Sequence, residues 1–137
     1  MAKPKVTIVS GKRKTSVAKV RIMPEGNEIT YNNRDYNELP LFHKLSLMEP
    51  LRIYESIINK PLGHSLKITA KGGGKESQIQ AVRLAIAKAL LVITKSKELE
   101  LAFLAYDRNL LVPDFRRKEA YKPGDSKARA KRQKSYR

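Results

Sequence analysis

The chain has no cysteine and no tryptophan, only two histidines, and 13 acidic residues against 29 Lys and Arg. Each shortage closes off a class of function. Without cysteine there is no disulfide, no thiolate zinc site and no thiol nucleophile, which fits a reducing intracellular compartment. His43 and His64 are the only imidazoles. A Ser-His-Asp set or a metal site would need one of them together with several converging partners, and the adjacency of His64 and Ser65 has no bearing because such groups assemble in space. Both read as ordinary polar positions, so no catalytic residue, metal ligand or cofactor is expected. Long apolar runs are missing too. The most apolar stretch, 84–93, is too short for a bilayer and contains Lys88. The first fourteen residues carry five Lys and Arg and no apolar core of a signal peptide. Neither export nor a membrane partner is expected.

Positive charge is what the chain has in excess. The 137 residues fit one domain with room for a tail, and a 41% apolar content supports a core. The net charge is +16 and the pI about 10.2, which points to a polyanionic partner. The charge is unevenly placed. Residues 1–22 hold seven basic residues (Lys3, Lys5, Lys12, Arg13, Lys14, Lys19, Arg21) and no acid, and 116–137 hold ten basic residues against two acids. Residues 23–115 hold twelve against eleven. A single charge run is commonly just a solvated face. A nearly neutral body with two cationic ends fits repeated phosphate contact and counterion release instead. If those ends neutralise roughly six to ten phosphates, affinity falls by about 10³–10⁵ between low and moderate salt.

Periodicity gives an α+β domain. Val6 and Ile8, then Val17, Val20 and Ile22, read as two strands, with Lys12, Arg13 and Lys14 on a turn opened by Gly11. Gly26 and Asn27 lead to a short strand over 28–31, and 32–35 reads as another turn. A helix is expected over 46–58, with Leu47, Leu51, Tyr54, Ile57 and Ile58 on one face. Pro50 marks either an early turn of it or a break. Residues 65–70 alternate as a strand. After Gly72, Gly73 and Gly74, the stripe Ile79, Val82, Ile86, Leu90 and Ile93 predicts a helix over 76–94. A second helix over 97–110, with Ser96 as N-cap, would bury Leu99, Phe103, Tyr106 and Leu110 before Pro113 ends the body. From 116 onward only Tyr121 and Tyr136 are large and apolar, too little to order a segment by burial. The division is therefore a globular domain at 1–113 and an extended basic tail at 114–137.

The triple glycine before a helix admits two readings. One is a tight strand-to-helix connection; the other is phosphate contact through backbone N–H groups, with Lys71 and Lys75 flanking. It is not a nucleotide-binding Walker loop, because Glu76 follows Lys75 where Ser or Thr is required. That weighs against a phosphoryl-transfer enzyme. A free nucleic-acid-binding or chromatin protein would share the basic ends but should bind duplex DNA as well as structured RNA. For Tyr31 and Tyr36, packing around a hairpin is favoured over base stacking. Tyr121 and Tyr136, set in basic sequence, suit stacking on a base or ribose equally well.

Several segments together resemble a known family. Ser10-Gly11-Lys12-Arg13-Lys14-Thr15-Ser16-Val17-Ala18-Lys19-Val20 is similar to the basic signature of ribosomal protein nine of the small subunit. Gly72, Gly73 and Gly74, followed by Gln78, Ala81, Arg83, Ile86, Ala87, Ala89 and Leu90, resemble that family's glycine loop and helix. Asp114, Arg116, Glu119 and Lys122 match the spacing of its Asp-x-Arg-x-x-Glu element, and Lys127-Ala128-Arg129 resembles its Lys-Ala-Arg. The ending Ser135-Tyr136-Arg137, in place of Ser-Lys-Arg, resembles the archaeal and eukaryotic branch. Ser77-Gln78-Ile79-Gln80 departs from the commoner Gly-Gln-Ala/Ser-Gly, so a slightly different loop geometry is expected there.

The resemblance implies a small mixed sheet covered by helices with a left-handed βαβ unit, the fold of the second domain of small-subunit ribosomal protein five. It implies a non-enzymatic, cytoplasmic component of the small-subunit head. Expected partners are small-subunit rRNA, neighbouring head proteins and P-site tRNA. The rRNA contacts would be Lys12, Arg13, Lys14, Lys71, Gly72, Gly73, Gly74, Lys75, Arg116, Arg117, Lys118, Lys122, Lys127, Arg129, Lys131 and Arg132. The tRNA contacts would be Lys134, Ser135, Tyr136 and Arg137.

Overall fold

Strand β1 (Thr7–Arg13) and strand β2 (Ser16–Met23) form an antiparallel hairpin, with Arg13 opposite Ser16. In this computed structural model, residues 6–137 are described; Lys3 and Lys5 of the N-terminal basic cluster lie outside them. The connecting turn is Lys14-Thr15 alone, with Lys14 at φ 51°. The turn expected from Gly11 onward is thus shorter, and Lys12 and Arg13 are strand residues. Gly11 serves packing instead: a Cβ there would lie 2.8 Å from the backbone nitrogen of Ala85 on the helix above.

Short strand β3 (Ile29–Tyr31) turns through Asn32 and Asn33, both at positive φ, into β4 (Arg34–Asp35). Two left-handed residues in a two-residue loop are what a right-twisted hairpin requires, and Asn tolerates them. Helix α1 (Leu41–Ile58) then crosses to β5 (Ser65–Lys71), which pairs parallel with β3 and antiparallel with β2. The five-stranded mixed sheet has the order β1-β2-β5-β3-β4. The side chain of Asn32 extends the parallel seam by accepting from Ala70 N at 2.9 Å.

Helix α1 starts well before the expected 46. Leu41, Phe42 and Leu45 face outward and contribute nothing to a buried stripe, which is why the apolar pattern hides the first turn. Pro50 neither opens nor breaks the helix. It lies buried in its interior, and Asn59 ends the helix in the left-handed conformation.

Helix α2 (Lys75–Thr94) packs along β1, β2 and β5 with ten buried residues, among them Ile79, Val82, Ile86 and Leu90. By length and composition it is the one helix among the described residues long and apolar enough to cross a membrane. Here its apolar side faces the sheet and α1. Helix α3 (Lys97–Tyr106) is shorter than expected. Asp107 breaks it in an extended conformation, and a 3₁₀ turn over Arg108–Leu110 brings Leu110 back into the core. Tyr106, expected on the buried face, is therefore 58% exposed. After Leu110 there is no further strand or helix, and from Phe115 onward every side chain except the half-buried Ala128 is exposed.

Candidate nucleic-acid interface

Three segments far apart in sequence meet at the β1–β2 turn. The first is the turn itself, with the exposed side chain of Lys14 at its tip. The second is the triple-glycine loop. Gly72 and Gly73 take φ of +80° and +59°, and a Cβ at Gly72 would come 2.7 Å from Thr15 O. Beneath them the hydroxyl of Ser16, fully buried, lies 2.8 Å from that of Ser77 and donates to Gly72 O at 2.9 Å. Ser77 also accepts from Gly74 N at 3.1 Å, which caps the start of α2. Gln78 donates to Gly72 O at 2.9 Å. The glycines are there because the loop must touch the hairpin backbone, the role of a tight connection. The loop nevertheless leaves Lys71, Gly72, Gly73, Gly74 and Lys75 exposed.

The third segment is the start of the C-terminal tail. Asp114 lies 2.7 Å from the guanidinium of Arg13 and 2.7 Å from that of Arg116, and it accepts from Arg116 N at 2.9 Å. Side-chain and backbone hydrogen bonds from Arg116, with the charges of Arg116 and Arg13, hold the Asp114 carboxyl well below the usual carboxylate range. Arg116 is correspondingly raised by its hydrogen bond to Asp114. Arg117 reaches back to Asp114 O at 3.1 Å. Arg13, Lys14, Thr15, Arg116, Arg117 and Lys118 consequently line one depression.

The expected phosphate contacts do not share one fate. Lys12 and Lys14 are exposed. Arg13 is turned inward toward α2. It donates from Nε to Gln80 at 2.7 Å and pairs with Asp114, so it anchors the tail. Its Nη1 makes a charge contact there without an aligned hydrogen bond. Lys118 sits over the Tyr121 ring, 4.4 Å from its centre. Arg129 pairs with Glu119 at 2.9 Å. Lys122, Lys127, Lys131 and Arg132 are exposed along the tail, as are Lys134, Ser135, Tyr136 and Arg137, so the fold does not gather them with the hairpin cluster. Lys19 and Arg21, counted in the N-terminal basic run but not among the expected rRNA contacts, stand exposed with Lys67 on the open face of the sheet. Their signal was the period-two alternation of cations with buried apolar residues in β2 and β5.

His43 pairs with Glu76 at 2.7 Å, joining the first turns of α1 and α2, and His64 contacts Leu62 O at 3.0 Å. Among the described residues no group of three or more His, Asp or Glu could hold a metal ion.

Residues 11–137 match the family model described as ribosomal protein S9/S16. The chain is 39% identical over 136 residues to a protein of Methanococcus vannielii named small ribosomal subunit protein uS9, covering 97% of this chain and 99% of that one. It is 40% identical, at the same coverage, to a protein of that name from Methanococcus maripaludis. A third of that name, from Thermoplasma volcanium, is 39% identical over 95% of this chain and 97% of its own length. A match running from the hairpin through the tail leaves one assignment: the chain belongs to the ribosomal protein S9/S16 family.

Proposed function

We propose that this chain is a structural, non-enzymatic protein of the small ribosomal subunit, working in the cytoplasmic ribosome. Its body, 1–113, packs on small-subunit rRNA in the head beside neighbouring head proteins. The tail, 114–137, runs out through crowded phosphates, and its tip contacts P-site tRNA. On the same reading the β3–α1–β5 unit has the left-handed sense of the family fold. The mechanism is electrostatic positioning, with no bond made or broken.

The observation that carries this reading is the convergence at Thr15. The hairpin tip and the tail root put Lys14, Arg116, Arg117 and Lys118 around one depression, and the glycine loop touches the same turn at Thr15. Such a cluster repels itself in the free protein and is relieved by phosphates. Contacts of this kind fix position and orientation without reading sequence.

Deleting 134–137 tests the role of the tip. The shortened chain should still co-sediment with small subunits at moderate salt. Those subunits should release P-site tRNA faster in a filter-binding assay. Unchanged tRNA retention would remove the tip from the mechanism, and a chain that stays at the top of the gradient at all salts would remove the ribosomal role.

A further inference from the structure

One face of the sheet has no cover among the described residues. The alternation that buries Ser16, Ala18, Val20 and Ile22 turns Val17, Lys19, Arg21 and Met23 to the opposite side. In β5 the same alternation turns Lys67, Thr69 and Lys71 there. The strand register sets these residues in rows. Lys12, Val17 and Lys71 make one row; Ser10, Lys19 and Thr69 the next; Ile8, Arg21 and Lys67 the third. Neighbouring strands are about 4.8 Å apart, and same-face positions along a strand are about 6.8 Å apart. The cations therefore form a two-dimensional array across three strands.

Within β1, β2 and β5 no acid offsets that array. Among the described residues the nearest are Glu25 and Glu28, which line a depression with Lys67, and Asp35, opposite Thr30 in the row beyond Lys67. Among the described residues, none of Lys12, Lys19, Arg21, Lys67 and Lys71 takes part in an ion pair. Arg21 and Lys67 stand directly opposite each other, a like-charge pair that destabilises an isolated sheet. A stack of cations kept against that cost calls for an anionic occupant. The form of the occupant follows from what else the face carries. It has no aromatic side chain, so it cannot stack splayed bases as sheet-faced single-strand binders do. Its apolar residues are few, chiefly Ile8, Val17 and Met23, too few for the apolar centre of a stable protein interface. A single RNA strand would fill one line of the array; the two backbones flanking the shallow groove of a duplex fill it in both directions. The hydroxyls of Ser10 and Thr69, set among the cations, suit phosphate oxygens and ribose 2′-hydroxyls.

We propose that the open face of β1, β2 and β5 docks the backbone of paired RNA, with Lys19, Arg21 and Lys67 as phosphate contacts beside Lys12 and Lys71. The proposal rests on the rRNA-binding reading above and deepens it by naming a surface and the form of RNA it takes. It is a second cationic surface, centred on Lys19, Arg21 and Lys67, that adjoins the one around Thr15 at Lys12 and Lys71.

The test titrates the full chain with an RNA hairpin whose stem is about 16 base pairs and with an unpaired strand of equal length, across a range of salt. The K19Q/R21Q/K67Q variant removes three contacts from the face. An R52Q/K60Q/K97Q variant removes equal charge elsewhere. At roughly 0.9 per phosphate contact, the face variant should lower the salt slope for the stem by about 2.7. Between 50 and 200 mM salt the wild type should then lose about 40-fold more stem affinity than the face variant does. The control variant should keep the wild-type slope, and the unpaired strand should be affected much less. K67Q alone, with a slope change of about 0.9, provides the same test if the triple variant melts early. Equal losses in face and control variants, or equal losses for stem and unpaired strand, would overturn the proposal. So would wild-type stem binding by the face variant, which would leave this surface to a protein. Failure of the wild type to bind either RNA would instead overturn the RNA-binding reading itself.

Discussion

Replacing Gly11 by Ala should be among the most damaging single-methyl changes available to this protein. Gly11 is buried in the middle of β1, and its φ is ordinary, so backbone strain is not the issue. The new Cβ would press on Ala81 O, lie 2.8 Å from Ala85 N and meet Ala85 Cβ at 3.1 Å. Two of these are backbone atoms of α2 and cannot rotate aside, so the helix or the strand must move by on the order of 1 Å. A gap of that size forfeits roughly a quarter to a half of each dispersion contact along the seam. With the ordinary cost of overpacking, the loss should be about 3 kcal/mol. For a chain of this length that lowers the thermal midpoint by about 10 °C. Thermal unfolding followed by far-ultraviolet circular dichroism measures it. Gly74→Ala is the control, because its Cβ meets nothing within 4 Å and its φ is negative. If the midpoint of Gly11→Ala stayed within about 2 °C of wild type, the seam would be loose enough to absorb a methyl group and the packing argument would be wrong.

Two further substitutions probe the joints of the site. Asp114→Asn should destabilise the chain at neutral pH. Because the folded-state pKa is depressed, that deficit should be constant above about pH 4 and shrink as pH falls below it; a deficit independent of acid in parallel melts would mean that charge does not hold the clasp. Ser77→Ala leaves the buried Ser16 hydroxyl short of a partner and uncaps Gly74 N, so it should cost about 1–2 kcal/mol in a denaturant titration, and a change near zero would show that the glycine loop is held by packing alone.

The parts legible in the sequence are those that a local period records. The alternation of β2 and the stripe of α2 are each fixed by burial against one flat neighbour, so spacing alone reveals them. The first turn of α1 is not legible, because Leu41 and Phe42 are apolar residues spent on solvent. The exposure of Tyr106 is hidden for another reason. Its spacing suits the buried face, but Asp107 leaves the helix to accept from Arg83 at 2.9 Å, and Arg83 also pairs with Glu49 on α1. That choice is made by a partner 24 residues away. At the candidate site the basic residues were legible as types. Their sorting was not, since Arg13 and Lys14 are neighbours in sequence while the pleat sends one inward and the turn sends the other out.

This sorting changes what the two cationic ends mean. Read along the chain they are separate runs, nearly a hundred residues apart. In the fold, Arg13 gives up its charge to Asp114, and that pairing ties the root of the tail to the tip of the hairpin. One cation of the first run is thus used to aim the second. Without the clasp, the segment after Pro113 would leave the body in any direction, and ordering it on RNA would cost the full entropy of a free chain. With its first residues already held, Arg116, Arg117 and Lys118 lie beside Lys14 before any RNA arrives. The remaining tail then begins from a set position and heading, the preorganisation a long extension needs if its far end is to reach a fixed point. On this argument Asp114 acts on RNA without touching it. Its loss should weaken tail-dependent binding more than the removal of any single exposed tail lysine, although Asp114→Asn makes the chain more positive. Stronger RNA binding by Asp114→Asn, the result that net charge alone would give, would show that the tail needs no anchor.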